Sequence, residues 1–344
     1  MKKRFTLALA AGAAALVLTA CTAAPGGDDP APSEEAVNVG VAYDLFGRGD
    51  GGINDLAYEG VLEAGEELGI EINIEEVSGR PDETDADRAD RLRLLVDSGF
   101  NPIVTVGFTY AAALATVAEE YPDVSFAIVD DASLDIPNVA GLTFAEHEGS
   151  FLVGAAAALS TESGHVGFVG GVDVPLIHKF QAGYEAGVAY VDDTVVVDSK
   201  YLSQPPDFSG FGDPARGREA ATGMFDSGAD IVYAAAGGSG TGVFEAAVAS
   251  GNRAIGVDFD QYQTAAEELR PVIMTSMLKN VNVGTAAFLE AFVAGEPMSG
   301  NHEFTVAEGG VGYAVSGGQI DDLVEQLDEI AAKISSGEIT VPRS

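Results

Sequence analysis

Residues 37–68 read VNVGVAYDLFGRGDGGINDLAYEGVLEAGEEL. The opening VNVGVAY is an apolar run of strand length, and Ala57, Tyr58, Val61, Leu62 and Leu68 recur at helical spacing on one face. A glycine-rich loop joins the two. A buried strand that feeds a loop and then a helix is the repeating unit of a parallel sheet, because parallel strands need a crossover and read as near-continuous apolar runs.

The unit repeats along the chain. EINIEEV (71–77), PIVTVGF (102–108) and VSFAIVD (124–130) read as further strands, with helices near 84–98 and 110–120, and VAGLTF (139–144) closes a first series. A second series has strands HVGFVGG (165–171), TVVVDSKY (194–201), ADIVYAAA (229–236) and RAIGVDFD (253–260), and helices near 148–160, 176–190, 214–227 and 241–250. The expected fold is therefore α/β: two Rossmann-like lobes, one built on 37–143 and the other on 144–261. VIMTSML (272–278) and a helix at about 280–294 are too short for a third domain, so 262–296 is expected to return to the first lobe. The last strand and helix, within 297–340, are expected to complete the second. Repeated crossing makes a hinge, and the cleft beyond the strands' carboxyl ends is the expected ligand site.

Residues 1–20 read as an address label. Lys2, Lys3 and Arg4 precede an apolar run from Phe5 to Leu18, the length of a secretory signal core and short for a membrane span. The run ends in Leu18-Thr19-Ala20-Cys21, which resembles the lipobox of bacterial lipoproteins. That resemblance implies cleavage before Cys21, lipidation of its thiol, and anchoring on the extracytoplasmic face of the membrane. A free thiol after an ordinary signal is the alternative. Residues 21–36 are rich in Pro, Gly and acid with little to bury, so a flexible tether is expected there.

Over 344 residues, 54 Asp and Glu oppose 17 Lys and Arg, a formal net charge of −37, while hydrophobic residues make up 47%. The apolar fraction is ample for real cores and excludes disorder of the whole chain. The acid excess repels phosphate backbones, which excludes nucleic acid as a partner. One cysteine and four scattered histidines (His147, His165, His178, His302) offer no zinc spacing, so neither metal nor cofactor is expected.

Several strand ends carry candidate ligand groups. After the first strand, Asp44, Asp50, Asn54 and Asp55 stand among glycines that let a ligand approach the backbone; equally, Asn54 or Asp55 can be the helix N-cap. Asp130 and Asp131 follow the FAIV strand, and since neighbouring strand residues face opposite sides, one of the two can meet a ligand. Asp130 is the expected one, an ordinary turn aspartate the alternative. Gly237-Gly238-Ser239-Gly240-Thr241-Gly242 opens a helix but lacks both the GxGxxG register and GxxxxGK[ST]. Backbone donors to a neutral polar ligand fit this loop better than ATP or a dinucleotide. Asp258 ends its strand as Asp130 does, and Lys279 stands where the chain turns back. Together they can fix vicinal hydroxyls by charge-assisted hydrogen bonds, unless Lys279 is simply solvated. His178 and Lys179 are ambiguous, and Phe180 reads first as a packing residue.

The strings RGDGGINDLAYEG, YPDVSFAIVD, NVAGLTFAEHEGSFLVGAAAA, VGFVGGVDVPLIHKFQAGYEAGV, AAAGGSGTGVFEAA, AIGVDFDQ and TSMLKN, between Arg48 and Asn280, carry a resemblance that spans nearly everything from Val37 to about Phe292. They resemble the basic membrane protein family of lipoproteins, purine-nucleoside-receptor-like substrate-binding proteins of ABC transporters. The resemblance implies a type I periplasmic-binding-protein fold, and a monomer that captures a nucleoside between its lobes and hands it to permease subunits. It implies that Asp44 and Asp130 contact the ligand, and that Asp258 and Lys279 hold the ribose hydroxyls with help from Gly237 and Gly238. One departure stands out. The family's DxSFN string usually supplies a phenylalanine that stacks on the base, and here the chain reads Asp50-Gly51-Gly52-Ile53-Asn54. Ile53 offers an apolar contact without an aromatic face, which leaves Phe46, Phe108, Tyr110 and Phe180 as candidates to replace it. Two other functions compete: a sensory lipoprotein that binds without transport, and a nucleoside hydrolase. The hydrolase would need a water activated by a metal cluster or by a base of raised pKa.

Overall fold

The computed structural model describes residues 36–44, 46–80 and 83–344. The signal segment, Cys21 and all but the last residue of the expected tether lie outside the described residues.

The chain alternates strand and helix as its apolar runs require. β1 (Val37–Ala42), α1 (Ile53–Leu68), β2 (Ile72–Val77), α2 (Asp85–Asp97), β3 (Ile103–Thr105), α3 (Ala111–Glu120), β4 (Phe126–Val129) and β5 (Val139–Phe144) come first. Then follow α4 (Glu146–Ser160), β6 (His165–Val172), α5 (Pro175–Val191), β7 (Val196–Ser203), α6 (Pro214–Asp226), β8 (Ile231–Ala235), α7 (Gly240–Ser250) and β9 (Arg253–Asp258). The last elements are α8 (Gln261–Thr264), β10 (Ile273–Lys279), α9 (Val281–Val293), β11 (Gly300–Phe304), β12 (Val311–Tyr313) and α10 (Val324–Ser335). They form two six-stranded sheets, ordered β11-β5-β4-β3-β1-β2 and β12-β10-β9-β8-β6-β7. All named pairings are parallel except β10 with β12. The central strands are buried on both faces, β4 and β8 along their whole length, which is why they read as unbroken apolar runs.

The end of the chain departs from expectation. The strand at 272–278 was expected in the first lobe, but β10 pairs in parallel with β9 and belongs to the second sheet. Only after Lys279 does the chain cross back: α9 lies against α1, and β11 pairs with β5 at the edge of the first sheet. It then crosses a third time, and β12 and α10 join the second lobe, against β10 and α4. The single final strand expected near 302 is thus two short strands in different sheets. The three crossings are tied side by side, since Ala145 N–H donates to Phe304 O (2.9 Å) and Asn280 N–H to Gly310 O (2.9 Å).

The buried face of α1 also differs. Ala57 and Val61 are buried as expected, whereas Leu62 and Leu68 are exposed and Gly60, Ala64 and Gly65 take their place. Small side chains win this face because α9 approaches closely: a Cβ on Gly60 would sit 2.1 Å from Thr285 Oγ1 and 2.3 Å from Asn282 O.

Candidate functional site

A cavity of about 720 Å³ lies between the lobes, within the range of small-molecule sites. The structure brings Asp44, Asp50, Ile53, Asp130, Phe180, Gly237, Gly238, Asp258 and Lys279 together on its wall. The tenth expected residue, Asn54, lies behind it. Its amide donates to Asp44 Oδ1 (2.7 Å) and Asp50 Oδ2 (2.9 Å) and so fixes both carboxylates. Asp50, not Asn54 or Asp55, serves the start of α1, accepting from the backbone N–H groups of Gly52, Asn54 and Asp55. Asp55 folds the preceding loop, accepting from Gly49 N–H, Gly51 N–H and Arg48 Nε. Burial raises the pKa of both Asp44 and Asp50, a pull only partly offset by their hydrogen bonds.

Asp130 and Asp258 occupy equivalent places in the two lobes, one residue past β4 and at the end of β9. Both adopt left-handed backbone, φ 67° and φ 69°, which is uncommon for residues other than glycine. Such conformations cost roughly 1–3 kcal/mol and persist where the surroundings impose them, most often at functional sites. Asp131 turns away and closes a local turn with Ser133. Between the two aspartates stands Lys279, 2% exposed, its Nζ donating to Asp130 Oδ2 at 2.6 Å. The solvated alternative for Lys279 is thereby excluded. Burial opposes its charge, but Asp130, Glu146 and Asp258 outweigh that effect and hold its pKa above the ordinary lysine value. Burial pushes the Asp258 carboxyl up to about 6 even though Lys279 pulls it down. Asp130 Oδ1 is buried without a hydrogen-bond partner among the described residues.

The glycine loop is held from behind. Ser239 is fully buried, donating to Gly210 O (2.7 Å) and accepting from Asp213 N–H (2.7 Å). Gly237 has φ 54°, and a Cβ there would lie 3.0 Å from Phe211 O, so a glycine suits the turn. Gly237, Gly238 and Thr241, beside the N-terminus of α7, line the cavity.

At the mouth, rings from opposite lobes meet. Phe108, after β3, lies 6.0 Å from Phe208, which precedes α6. Phe46 abuts Gly212, and Gly51 abuts Phe259. Of the four candidates to replace an aromatic at Ile53, Phe46, Phe108 and Phe180 line the cavity. Tyr110 does not: it is fully buried in the first lobe, donating to Tyr43 O (2.8 Å). Phe208 and Phe211 line the cavity without having been singled out in the sequence; two phenylalanines in a short Pro- and Gly-containing loop after a strand were the available signal. His178 bonds to Asp173 (2.7 Å), and Lys179 reaches Glu146 (3.1 Å). Glu146 was also missed. It is fully buried, 3.6 Å from Lys279 as well, and burial raises its pKa despite both lysines.

Two α/β lobes joined by three crossings around one cavity are the architecture of a two-lobed solute-binding protein, and comparison with known proteins places the chain in that class. A crystal structure of an ABC transporter system solute-binding protein from Aeropyrum pernix K1 superposes with a TM-score of 0.72 at 29% identity, covering 90% of this chain and 94% of that one. The fold is the type I periplasmic-binding-protein fold. The chain belongs to the family described as ABC transporter substrate-binding protein PnrA-like, which matches residues 36–344. It is similar to basic membrane protein A1 of Borrelia garinii subsp. bavariensis, 32% identical over 85% of each chain. It is also similar to the ABC transporter nucleoside-binding protein BmpA of Lactococcus lactis subsp. cremoris, 29% identical over 99% of each. The family is one of substrate-binding proteins rather than enzymes.

Proposed function

We propose that this protein is a lipid-anchored extracytoplasmic receptor that captures nucleosides, purine nucleosides first among them, and delivers them to an ABC permease. The observation that carries the reading is the acceptor set at the cleft floor. Asp130 Oδ1 has no partner, Asp258 accepts from no donor among the described residues, and Lys279 lies beside both. Vicinal ribose hydroxyls supply the donors this set lacks and an acceptor for Lys279. The phenylalanines at the mouth suit a heterocycle. Asp44 and Asp50, fixed from behind by Asn54, offer acceptors for its ring or exocyclic N–H groups. Five aspartates against one lysine on the cavity wall repel phosphate, which favours nucleosides over nucleotides.

Ligand contacts from both lobes favour the closed arrangement, and the three adjacent crossings are the natural hinge. Lipidation at Cys21 would hold the trap at the membrane beside its permease. The test is a thermal-shift panel of common nucleosides, nucleotides and free sugars, with release of free base assayed in the same mixtures. Binding to the folded state alone stabilises by about 2.7 kcal/mol at a hundredfold excess over Kd. Nucleosides raising the melting temperature with no base released supports the reading. A shift with ribose or another sugar but not with nucleosides refutes it, and base release would make the protein a hydrolase.

A further inference from the structure

Glu146 is fully buried and does not line the cavity. Its cationic neighbours, Lys179 on α5 and Lys279 at the end of β10, lie in the second lobe, and α4 packs on both of those elements. Asp130, the other partner of Lys279, ends β4 in the first sheet. When the lobes part, the 2.6 Å pair between Lys279 and Asp130 must break. The contacts of Glu146 with Lys279 (3.6 Å) and Lys179 (3.1 Å) join elements that pack together in the second lobe and need nothing from the first sheet. We infer that Glu146 is a positioning residue for ligand capture: in the open protein it is the counter-charge that keeps Lys279 protonated and aimed into the cleft, so that the closing lobe brings Asp130 to a lysine already in place.

This rests on reading the cleft as a two-lobed nucleoside trap. Lys279 is 2% exposed, and burial of that depth drives off a lysine's proton unless opposite charge is near; the Phe144 and Phe180 rings, 5.6 and 5.8 Å from Nζ, offset only a part of it. The charged groups facing it are Asp130 from the first lobe, Glu146 from α4 and Asp258 from β9, with Lys179 competing for Glu146 from α5. Opening withdraws Asp130. Asp258, pushed up to about 6, is an anion in alkaline solution but makes no ion pair with Lys279 within 4.0 Å among the described residues, so its support is the weaker. Glu146, its own carboxyl pushed up by burial, stays 3.6 Å from Lys279 and supports it best in neutral to alkaline solution.

The test is Glu146→Gln, read two ways. Nucleoside affinity relative to wild type should be within about threefold near pH 6 and about tenfold weaker near pH 9, where the variant's open form loses the Lys279 proton. In the ligand-free protein labelled with ¹³Cε-lysine, the Lys279 resonance should titrate at least about one pH unit lower than in wild type. An affinity ratio equal at both pH values, or an unmoved Lys279 titration, overturns the inference. Lys179→Gln leaves Glu146 to Lys279 alone and should move the titration upward; a downward shift or none also overturns it, and this variant decides if Glu146→Gln does not fold. If wild type binds no nucleoside, the proposed function fails, and the ligand-free titration still decides the role of Glu146.

Discussion

Replacing Lys279 with methionine leaves Glu146 with Lys179 alone and removes the one lysine that lines the cavity among the described residues. The ammonium lies 2.6 Å from Asp130 and 3.6 Å from Glu146, with side chains at most 5% exposed. At an effective dielectric of about 20 these pairs are worth about 6 and about 5 kcal/mol in Coulomb energy, most of which offsets the desolvation of the ions. Removing one member of a buried pair leaves that desolvation uncompensated and costs about 3–5 kcal/mol. Lys279→Met should therefore lower unfolding free energy by that amount near neutral pH. The pH dependence has a definite sign. Glu146 and Asp258 already have raised pKa values in the folded protein, and loss of Lys279 raises them further. Their penalty is absent below their unfolded pKa values, near 4, and grows as pH climbs toward the folded ones. Urea denaturation of wild type and Lys279→Met near pH 5 and near pH 8 should show the larger loss at about pH 8. A loss below about 1 kcal/mol at both, or one that grows toward acid, would refute the buried-network reasoning.

Three further outcomes are expected. Asp258, pushed up to about 6, should make nucleoside affinity climb as pH rises through about 6, and Asp258→Asn should weaken binding and flatten that profile in calorimetric titrations. The same raised pKa means its contribution to folding stability is fully present below about 4 and is lost as pH climbs through about 6. Ile53→Phe restores an aromatic face on the cavity wall and should tighten purine nucleoside binding, since stacking is worth about 1–3 kcal/mol; unchanged affinity would place the base elsewhere. Gly60→Ala drives a methyl group into Thr285 Oγ1 and Asn282 O and should destabilise the first lobe by about 1–3 kcal/mol, measured by thermal unfolding.

The alternation of strands and helices was legible because strands buried on both faces leave long apolar runs. Asp130 and Asp258 were legible for a related reason: each is the acid that ends such a run, at the edge where parallel sheets bind ligands. The lobe of β10 was not legible. Nothing in IMTSMLK distinguishes pairing with β9 from pairing in the first sheet, and the crossing point depends on backbone partners remote in sequence. Leu62 and Leu68 misled because apolar spacing marks a face, while the approach of α9 selects the face with the smallest residues. Glu146 was hidden because an acid in the first turn of a helix reads as ordinary complement to the helix dipole. The one available hint was the apolar run FLVGAAAAL (151–159) further along α4, which marks a helix packed on most of its sides.

The most direct measurement is a crystal structure of the protein with a purine nucleoside bound. The expected complex has the ribose hydroxyls within about 3.2 Å of Asp258 and Lys279, and the base among the mouth phenylalanines facing Asp44. A nucleoside bound outside the cleft, or one whose ribose touches neither Asp258 nor Lys279, would contradict the assignment.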